Sequence, residues 1–515
     1  MSLLQKAENL PIKTIQLISI LFGMLLAAHI QYIQHGWINP DSVLYFESAR
    51  LFAIGDWQQA VEVFKWPFYS MLLAITHKLT LLDIHTSAQL LSVLFFGITT
   101  ASFLKIIQLA GGSARVMIAG SLILFSSHYL VGDVLEMLLR DQGFWAFFLS
   151  SLVFFIRYYK SSDYKDAFLW QICAIIATLF RVEGITYLIA LPITLFFCQP
   201  HTIGLRICNF LKCNFLSIAA AVCILGAILI FDNVTMKYFG RLNEVFTFNL
   251  YEELTRNLFE KSEIMSNQVL GKYLHEYATQ AILLTFLYIV ATKIILATGF
   301  VNMGLAYAAT KFRARLMDDA SFRILRATAI IAIINMLLII TKVFVLSGRY
   351  VLALSFVLMI LASFYLADIF KHLGSPKDSK LKWVAIALLA FIFLSFCKNI
   401  LPKQEGYNYH QNAVSWLKQY NPSNKPVFYD DSRVRYYAGA PFVGTWGDNW
   451  LIVKAAIKNN TINQYDFLVI SQSSQHPEIE KFIAEQLPNY HQVKKFSTQD
   501  TNKALVIYIK SNVSK

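Results

Sequence analysis

Of 515 residues, 56% are apolar and only 15% are charged, against about 45–50% and about 25% in soluble domains, and the mean hydropathy is +0.49. That balance excludes an ordinary water-soluble domain, because it supplies more apolar surface than one core buries. The formal net charge of +13 would suit a nucleic-acid partner, but the basic residues fall in short clusters between apolar runs, as the positive-inside bias arranges them, and no nucleic acid is expected.

In chain order, Lys6 and Lys13 precede an apolar run over 14–33, too long for a signal peptide's core and expected to be a retained first span. Further spans are expected near 87–109, 116–131, 142–159, 167–180, 184–198, 214–231, 278–300, 327–346, 350–370 and 382–400, about eleven in all when each must cross about 30 Å of hydrocarbon. Basic clusters stand at Lys105 with Arg115, Arg157 with Lys160 and Lys165, Arg206 with Lys212, Lys311 with Arg313, Arg315 and Arg323, and Lys371 with Lys377, Lys380 and Lys382. All of them fall on the cytoplasmic side only if Trp66–Leu82 does not cross. That stretch is short and broken by His77 and Lys78, which suits an interfacial or re-entrant helix.

The fold class expected is therefore a polytopic α-helical membrane protein with a cytoplasmic N-terminus. A transmembrane domain spans residues 1–400, with a first external loop at 34–86 and another, partly helical, at 233–276. Residues 401–515 form an external soluble α/β module, with strands over Pro426–Tyr429, Asp466–Ser471 and Ala504–Ile509 and helices over Gln411–Lys418, Asn449–Lys458 and Pro477–Gln486. The cysteines (Cys173, Cys198, Cys208, Cys213, Cys223 and Cys397) lie in or beside apolar runs without a CxxC, and read as small buried apolar side chains.

On this topology the polar residues of interest share the outer face. The first loop carries Asp41, Tyr45, Glu47 and Arg50, with a surface helix over Ser42–Phe52 that starts beside Asp41. Asp133, Glu136, Arg140 and Asp141 follow in the second external loop, then Arg181-Val182-Glu183-Gly184, then Ser347-Gly348-Arg349-Tyr350 with Lys342 just inside the membrane. Each alone has a plain reading, as a helix cap or a snorkelling side chain. Acids and bases converging on one face of a membrane, where charge is expensive, point to a site.

Asp41 with Tyr45 and Ala49, Gly55-Asp56-Trp57, Trp66-Pro67-Phe68-Tyr69, Arg140-Asp141, Arg181-Val182-Glu183-Gly184 and Arg349-Tyr350 occur in this order. The set resembles the GT-C superfamily of polyprenyl-phosphate-dependent glycosyltransferases, nearest to glycosyltransferase family 39 in the broad bacterial sense: aminoarabinose transferases, protein mannosyltransferases and Rgt-type transferases. The resemblance covers most of residues 30–370. It departs where many relatives carry a second acid after the first-loop Asp, here Ser42, and where Pro-Pro is usual, here Trp66-Pro67.

The resemblance implies an inverting glycosyltransferase in a bacterial inner membrane. Its donor is a sugar on a polyprenyl phosphate and its acceptor a lipopolysaccharide or lipid A, a surface glycan or a protein. An attacking hydroxyl needs a carboxylate to take its proton, and Asp41 is the candidate. Asp141 is the second acid, orienting the acceptor or pairing a basic residue. A departing phosphate needs cations, for which Arg349, Lys65 and Arg181 are candidates, with Tyr69 and Tyr350 as hydrogen-bond donors. Tyr45, Glu47, Arg140 and Glu183 complete the set. Some superfamily members use a divalent metal; with one first-loop acid missing and no ligand spacing among His77, His128 and His275, no metal or other cofactor is expected. A transporter would call for paired Gly or Pro interruptions and inverted repeats, which the sequence lacks. A non-catalytic envelope assembly protein is the other alternative.

Overall fold

The computed structural model describes residues 10–198, 202–230, 250–271, 273–374, 379–402, 408–444, 449–473, 478–497 and 503–511. Lys6, residues 233–249 of the second large loop, Lys377 and Pro477 lie outside the described residues. The chain packs as two compact units: residues 1–30, 89–136 and 140–400, and residues 31–88, 137–139 and 401–515. The division does not follow a cut at residue 400, because the first loop packs with the C-terminal module.

The first unit is helical. Among the described residues seven helices are long and apolar enough to cross a membrane, or eight if the bent pair Ala114–Ser126 and His128–Met137 is one span. The expected span over 116–131 thus breaks at Ser127, where a π-helix follows at an angle of 42°. The expected spans over 142–159, 167–180 and 184–198 are the helices Asp141–Ser161, Tyr164–Phe180 and Gly184–Cys198, which are more polar or shorter. Length and hydropathy therefore support seven or eight of the expected crossings directly. A helix over Phe300–Lys311, after Gly299, is additional.

Leu352–Phe370 is the innermost helix and almost wholly buried. Its small residues let neighbours approach: Thr298 Oγ1 lies 2.9 Å from Ser355 Oγ, and a side chain at Gly120 would press on Ser363. Without a hydrophobic drive between helices in lipid, close packing and buried hydroxyl pairs hold such a bundle. Ile12–Ile33 and Ser379–Ile400, by contrast, expose Leu17, Leu21, Leu25, Trp383, Phe393 and Leu394, a surface that suits acyl chains and not water.

The helix directions are fixed by contacts at the ends. Gln16 donates to Gln108 at 3.3 Å, and a side chain at Gly97 would press on Met24, so Ile12–Ile33 and Ile84–Leu109 run antiparallel. The chain leaves the bundle after the first helix and returns to it at the same end. At the other end Lys160 pairs with Asp318 at 2.8 Å and donates to Leu109 O, while Asp318 N donates to Ala110 O. Arg157–Asp166, Arg313–Asp319 and the Arg315–Asp368–Lys371 set belong to the same loops. The basic clusters of these loops therefore gather at one end of the bundle.

In the second unit three short helices precede the module. Asn39 caps Pro40–Ile54, accepting from Asp41 N at 3.0 Å, with Pro40 in the first turn and Gly55 closing the other end at φ 90°. Proline at the start and a left-handed glycine just past the end make a strong helix frame. Asp56 caps Trp57–Val63. Phe68–Thr80, of 13 residues, ends at Leu81; at about 1.5 Å per residue it is about 20 Å long, too short to span the hydrocarbon.

The module's sheet has the order β1-β2-β4-β3, with β1 (Val427–Tyr429) parallel to β2 (Phe467–Ser473), and β4 (Lys503–Lys510) antiparallel to β2 and to β3 (Tyr490–Ser497). Alternate residues face opposite layers. Phe428, Leu468, Ile470, Val506 and Tyr508 pack under Asn449–Lys458 and Glu478–Gln486, while Phe467, Val469, Leu505 and Ile507 pack under Tyr409–Tyr420. Within this unit Tyr437 Oη donates to Gly36 O at 3.1 Å and accepts from Ile38 N at 3.0 Å, and Gln411 donates to His35 O.

Candidate functional site

Three separate stretches of the first unit converge at the end of the bundle away from the basic loops. Asp141 opens the helix Asp141–Ser161, which at 21 residues places it about 30 Å from Lys160. Arg181 terminates Tyr164–Phe180 with an extended backbone, and a tight turn leads to Gly184. A Cβ at Gly184 would strike Thr178, and one at Gly143 would enter the ring of Phe180. The two glycines let this turn and the start of the neighbouring helix approach closely enough for their charges to meet. Arg349 and Tyr350 lie in the 3-10 turn Gly348–Val351 before the innermost helix.

Arg181, 5% exposed, donates through Nη1 to Asp141 and lies 3.3 Å from both Glu183 oxygens. Its guanidinium stands 4.3 Å over the ring of Tyr350, a cation–π contact strengthened by desolvation. Asp141, 1% exposed, also faces Arg349 Nη1 at 3.8 Å, and Arg140 adds its positive field to both Asp141 and Glu183. A buried carboxylate shared by guanidiniums is held by them and holds them in turn. Arg349 is the more accessible cation, 23% exposed, with Nε 3.4 Å from Ser347 Oγ. Phe144, Tyr187, Asn335 and Ala353 complete the wall of a small cavity beside these charges.

Of the residues expected from sequence, the structure brings together Arg140, Asp141, Arg181, Glu183, Arg349 and Tyr350. Tyr187 and Asn335 were missed; a polar amide within an otherwise apolar span was the signal available for Asn335. Lys342 lies in the last turn of Asp319–Val343. The remaining candidates belong to the second unit. Asp41 is half-buried in the first turn of its helix, and the capping oxygen there is that of Asn39. Beside it Ser42 Oγ donates to Met137 O at 2.8 Å. Tyr45 is buried against Phe64 and Tyr69, and Tyr69 donates to Leu138 O at 3.4 Å, so both act in packing this unit. Glu47 and Arg50 form a pair at 2.7 Å. Lys65 is exposed between two short helices. Among the described residues no three His, Cys, Asp or Glu side chains gather as a metal-ion site.

No family model matches the sequence and no curated protein is similar to it. Solved structures are. ArnT from Cupriavidus metallidurans in the apo state is similar with a TM-score of 0.51 at 10% identity, over 97% of this chain and 98% of that one. The archaeal oligosaccharyltransferase AglB from Archaeoglobus fulgidus, in complex with an inhibitory peptide and a dolichol-phosphate, gives 0.48 at 12% identity, over 97% of this chain and 74% of AglB. The arabinofuranosyltransferase AftD from Mycobacteria gives 0.46 at 11% identity, over 96% of this chain and 41% of AftD. The chain is a multi-pass helical membrane protein with a small C-terminal sheet, and its fold is of the GT-C type.

Proposed function

We propose that the protein is an inverting glycosyltransferase that moves a sugar from a polyprenyl-phosphate donor to an acceptor hydroxyl at the outer face of a bacterial inner membrane. The acceptor would be a lipopolysaccharide or lipid A, a surface glycan or a protein. The observation that carries the reading is the Asp141–Arg181–Arg349 cluster, on a GT-C-type fold, at the end of the bundle opposite its basic loops. In the transfer, the acceptor oxygen bonds to the anomeric carbon while the bond to the phosphate oxygen breaks. The phosphate keeps that electron pair, and the acceptor proton passes to a carboxylate.

The departing phosphate needs a cation at the membrane boundary more than it needs an acid. Arg349 takes that part in this reading, since its fork grips phosphate oxygens in pairs. Arg181, fastened by Asp141 and Glu183 and stacked on Tyr350, serves as the positioning residue that fixes Asp141 and, through it, Arg349. Asp41 is the general base, and exposed Lys65 is available to the donor phosphate.

The test is binding of radiolabelled polyprenyl phosphate and sugar transfer from its glycosylated form, with wild type and Arg349→Lys. Lysine keeps the charge and loses the fork, so donor use should fall at least about tenfold, the scale of a charged hydrogen bond of about 1.5–3 kcal/mol, with protein level unchanged. Wild-type kinetics in that variant would make Arg349 a snorkelling residue. A wild-type protein that ignores polyprenyl phosphate would favour a transporter or an envelope assembly protein.

A further inference from the structure

A cavity of about 780 Å³ in the second unit is lined by residues of that unit alone, and the Asp141–Arg181–Arg349 cluster described above has no part in it. Its volume is in the roughly 300–1,000 Å³ range of small-molecule sites. Helix Pro40–Ile54 contributes Phe46, Glu47 and Arg50; helix Ser432–Ala438 contributes Arg435 and Tyr436; His85 closes one side. Phe46 packs against Tyr436 at 5.8 Å and against His85 at 5.8 Å, giving a rigid aromatic floor ringed by polar side chains.

The charges around this floor are unevenly satisfied. Glu47 holds Arg50 by two hydrogen bonds, and Asp83 accepts from Thr86 N and Oγ1. Arg435 has backbone carbonyls only, at Tyr429 and Pro441, with no carboxylate within 4.0 Å among the described residues. Asp430, the carboxyl whose field reaches it, is pushed up to about 8 by burial and is largely neutral at pH 7. His85 Nε2 is buried without a hydrogen-bond partner among the described residues. The cavity is thus lined by a half-buried guanidinium without a carboxylate and by His85, whose buried Nε2 has no hydrogen-bond partner among the described residues, while its carboxylates Glu47 and Asp83 are already engaged.

We propose that this cavity binds a saccharide carrying an anionic group, its ring faces lying on Phe46 and Tyr436 and its anion against Arg435. Aromatic rings accept the apolar faces of sugars while in-plane guanidinium, imidazole and amide groups meet their hydroxyls. The anion supplies the charge that Arg435 lacks. That the bound saccharide is the acceptor of the transfer rests on the proposed function; the binding itself does not.

Titration calorimetry on the full chain in detergent, with no donor present, tests the binding. The probes are a galacturonic acid trisaccharide, a neutral galactose trisaccharide, an acidic tripeptide and inorganic phosphate. The acidic trisaccharide should bind at least about tenfold more tightly than the other three, the scale of one charge-assisted hydrogen bond of about 1.5–3 kcal/mol. Arg435→Gln should abolish that preference with the thermal midpoint unchanged, and if that variant fails to fold, His85→Gln should weaken the acidic sugar in its place. Equal binding of the neutral trisaccharide would overturn the anion; equal binding of phosphate or tripeptide would overturn the saccharide. If the site holds the acceptor, Arg435→Gln also raises the acceptor KM and leaves polyprenyl-phosphate binding alone. Intact sugar binding in a protein that transfers nothing would refute the enzyme reading and keep the pocket.

Discussion

Asp41 and Asp141 are both carboxylates in the first turns of helices, yet their surroundings differ. Asp141 is buried, ion-paired to Arg181 and flanked by Arg349, so it acts as a counter-ion that fixes two guanidiniums. Removing it leaves buried Arg181 with only its longer contacts to Glu183, and Asp141→Ala should cost about 3 kcal/mol, read as a lowered thermal midpoint and a poorer folded yield. An unchanged midpoint would mean that Arg181 finds compensation elsewhere. Asp41 is half-buried, and its helix is capped by Asn39, so Asp41→Asn should leave the fold intact. It should lower transfer by about 10²–10⁴-fold with donor binding retained, as loss of a general base does. A rate above about a tenth of wild type, measured at saturating donor, would remove Asp41 from that role. The residue types were legible in sequence because charges at span ends are costly. Their pairing was not, because it depends on how helices beginning or ending at 141, 181 and 349 meet in space.

Among elements, those with strong local signals were legible and those shaped by their neighbours were not. Pro40–Ile54 has proline at its start and Gly55 at its end, and its helix can be read from those residues. β3 cannot: it is an edge strand with Lys494 and Lys495 exposed, and a bulge between Gln492 and Lys494 breaks the alternation that marks a strand. Ser432–Ala438 is only 7 residues long and is held by its cap, Asp431. That cap and its neighbour make a pH-sensitive joint at the end of β1. Burial pushes the carboxyl of Asp430 up to about 8, with Asp431 beside it adding to the rise, although Ser471 N and Oγ donate to it at 2.7 and 3.1 Å. Asp431 is also desolvated, but His410 and Arg433 hold it well below the usual range. Burial lowers His410. The unfolded chain releases the Asp430 proton near pH 3.9 and the native chain near pH 8, so its contribution is complete below the first value and is lost as pH rises through the second. Asp431 loses its contribution only in acid, and His410 acts near pH 6.5 and below. Between pH 7 and 8 the slope therefore belongs to Asp430, about 1 kcal/mol per pH unit. Asp430→Asn should flatten the thermal midpoint over that interval; an unaltered slope would show that Asp430 is already ionised at pH 7.

For the whole molecule, the order of the loops along the chain and the contacts at the helix ends bear on the proposed topology by separate routes. Counting basic clusters requires Trp66–Leu82 not to cross; independently, the Gln16–Gln108 contact and the close approach of Gly97 to Met24 make the first two long helices antiparallel, so Ile30 and Gln89 lie at one end of the bundle. His29 Nε2, 2.9 Å from Ile400 O, brings the end of the last helix to the same end. Lys160, Arg313 and Arg315 gather at the other end, which is the cytoplasmic one in the orientation proposed from the positive-inside bias. Span number was less legible, because the break at Ser127 and the short helix after Gly299 depend on packing around Leu352–Phe370. The orientation is tested by single cysteines in a cysteine-free background, labelled in spheroplasts with a membrane-impermeant maleimide. Trp57→Cys and Lys78→Cys, both at exposed positions of the first loop, should react in intact spheroplasts, and Lys165→Cys only after permeabilisation. If Trp57→Cys reacts from outside and Lys78→Cys does not, Phe68–Thr80 crosses despite its length, and every later loop changes side. If both react only after permeabilisation, the bundle is inverted, and the Asp141–Arg181–Arg349 cluster faces the cytoplasm, where a donor presented at the outer face cannot reach it.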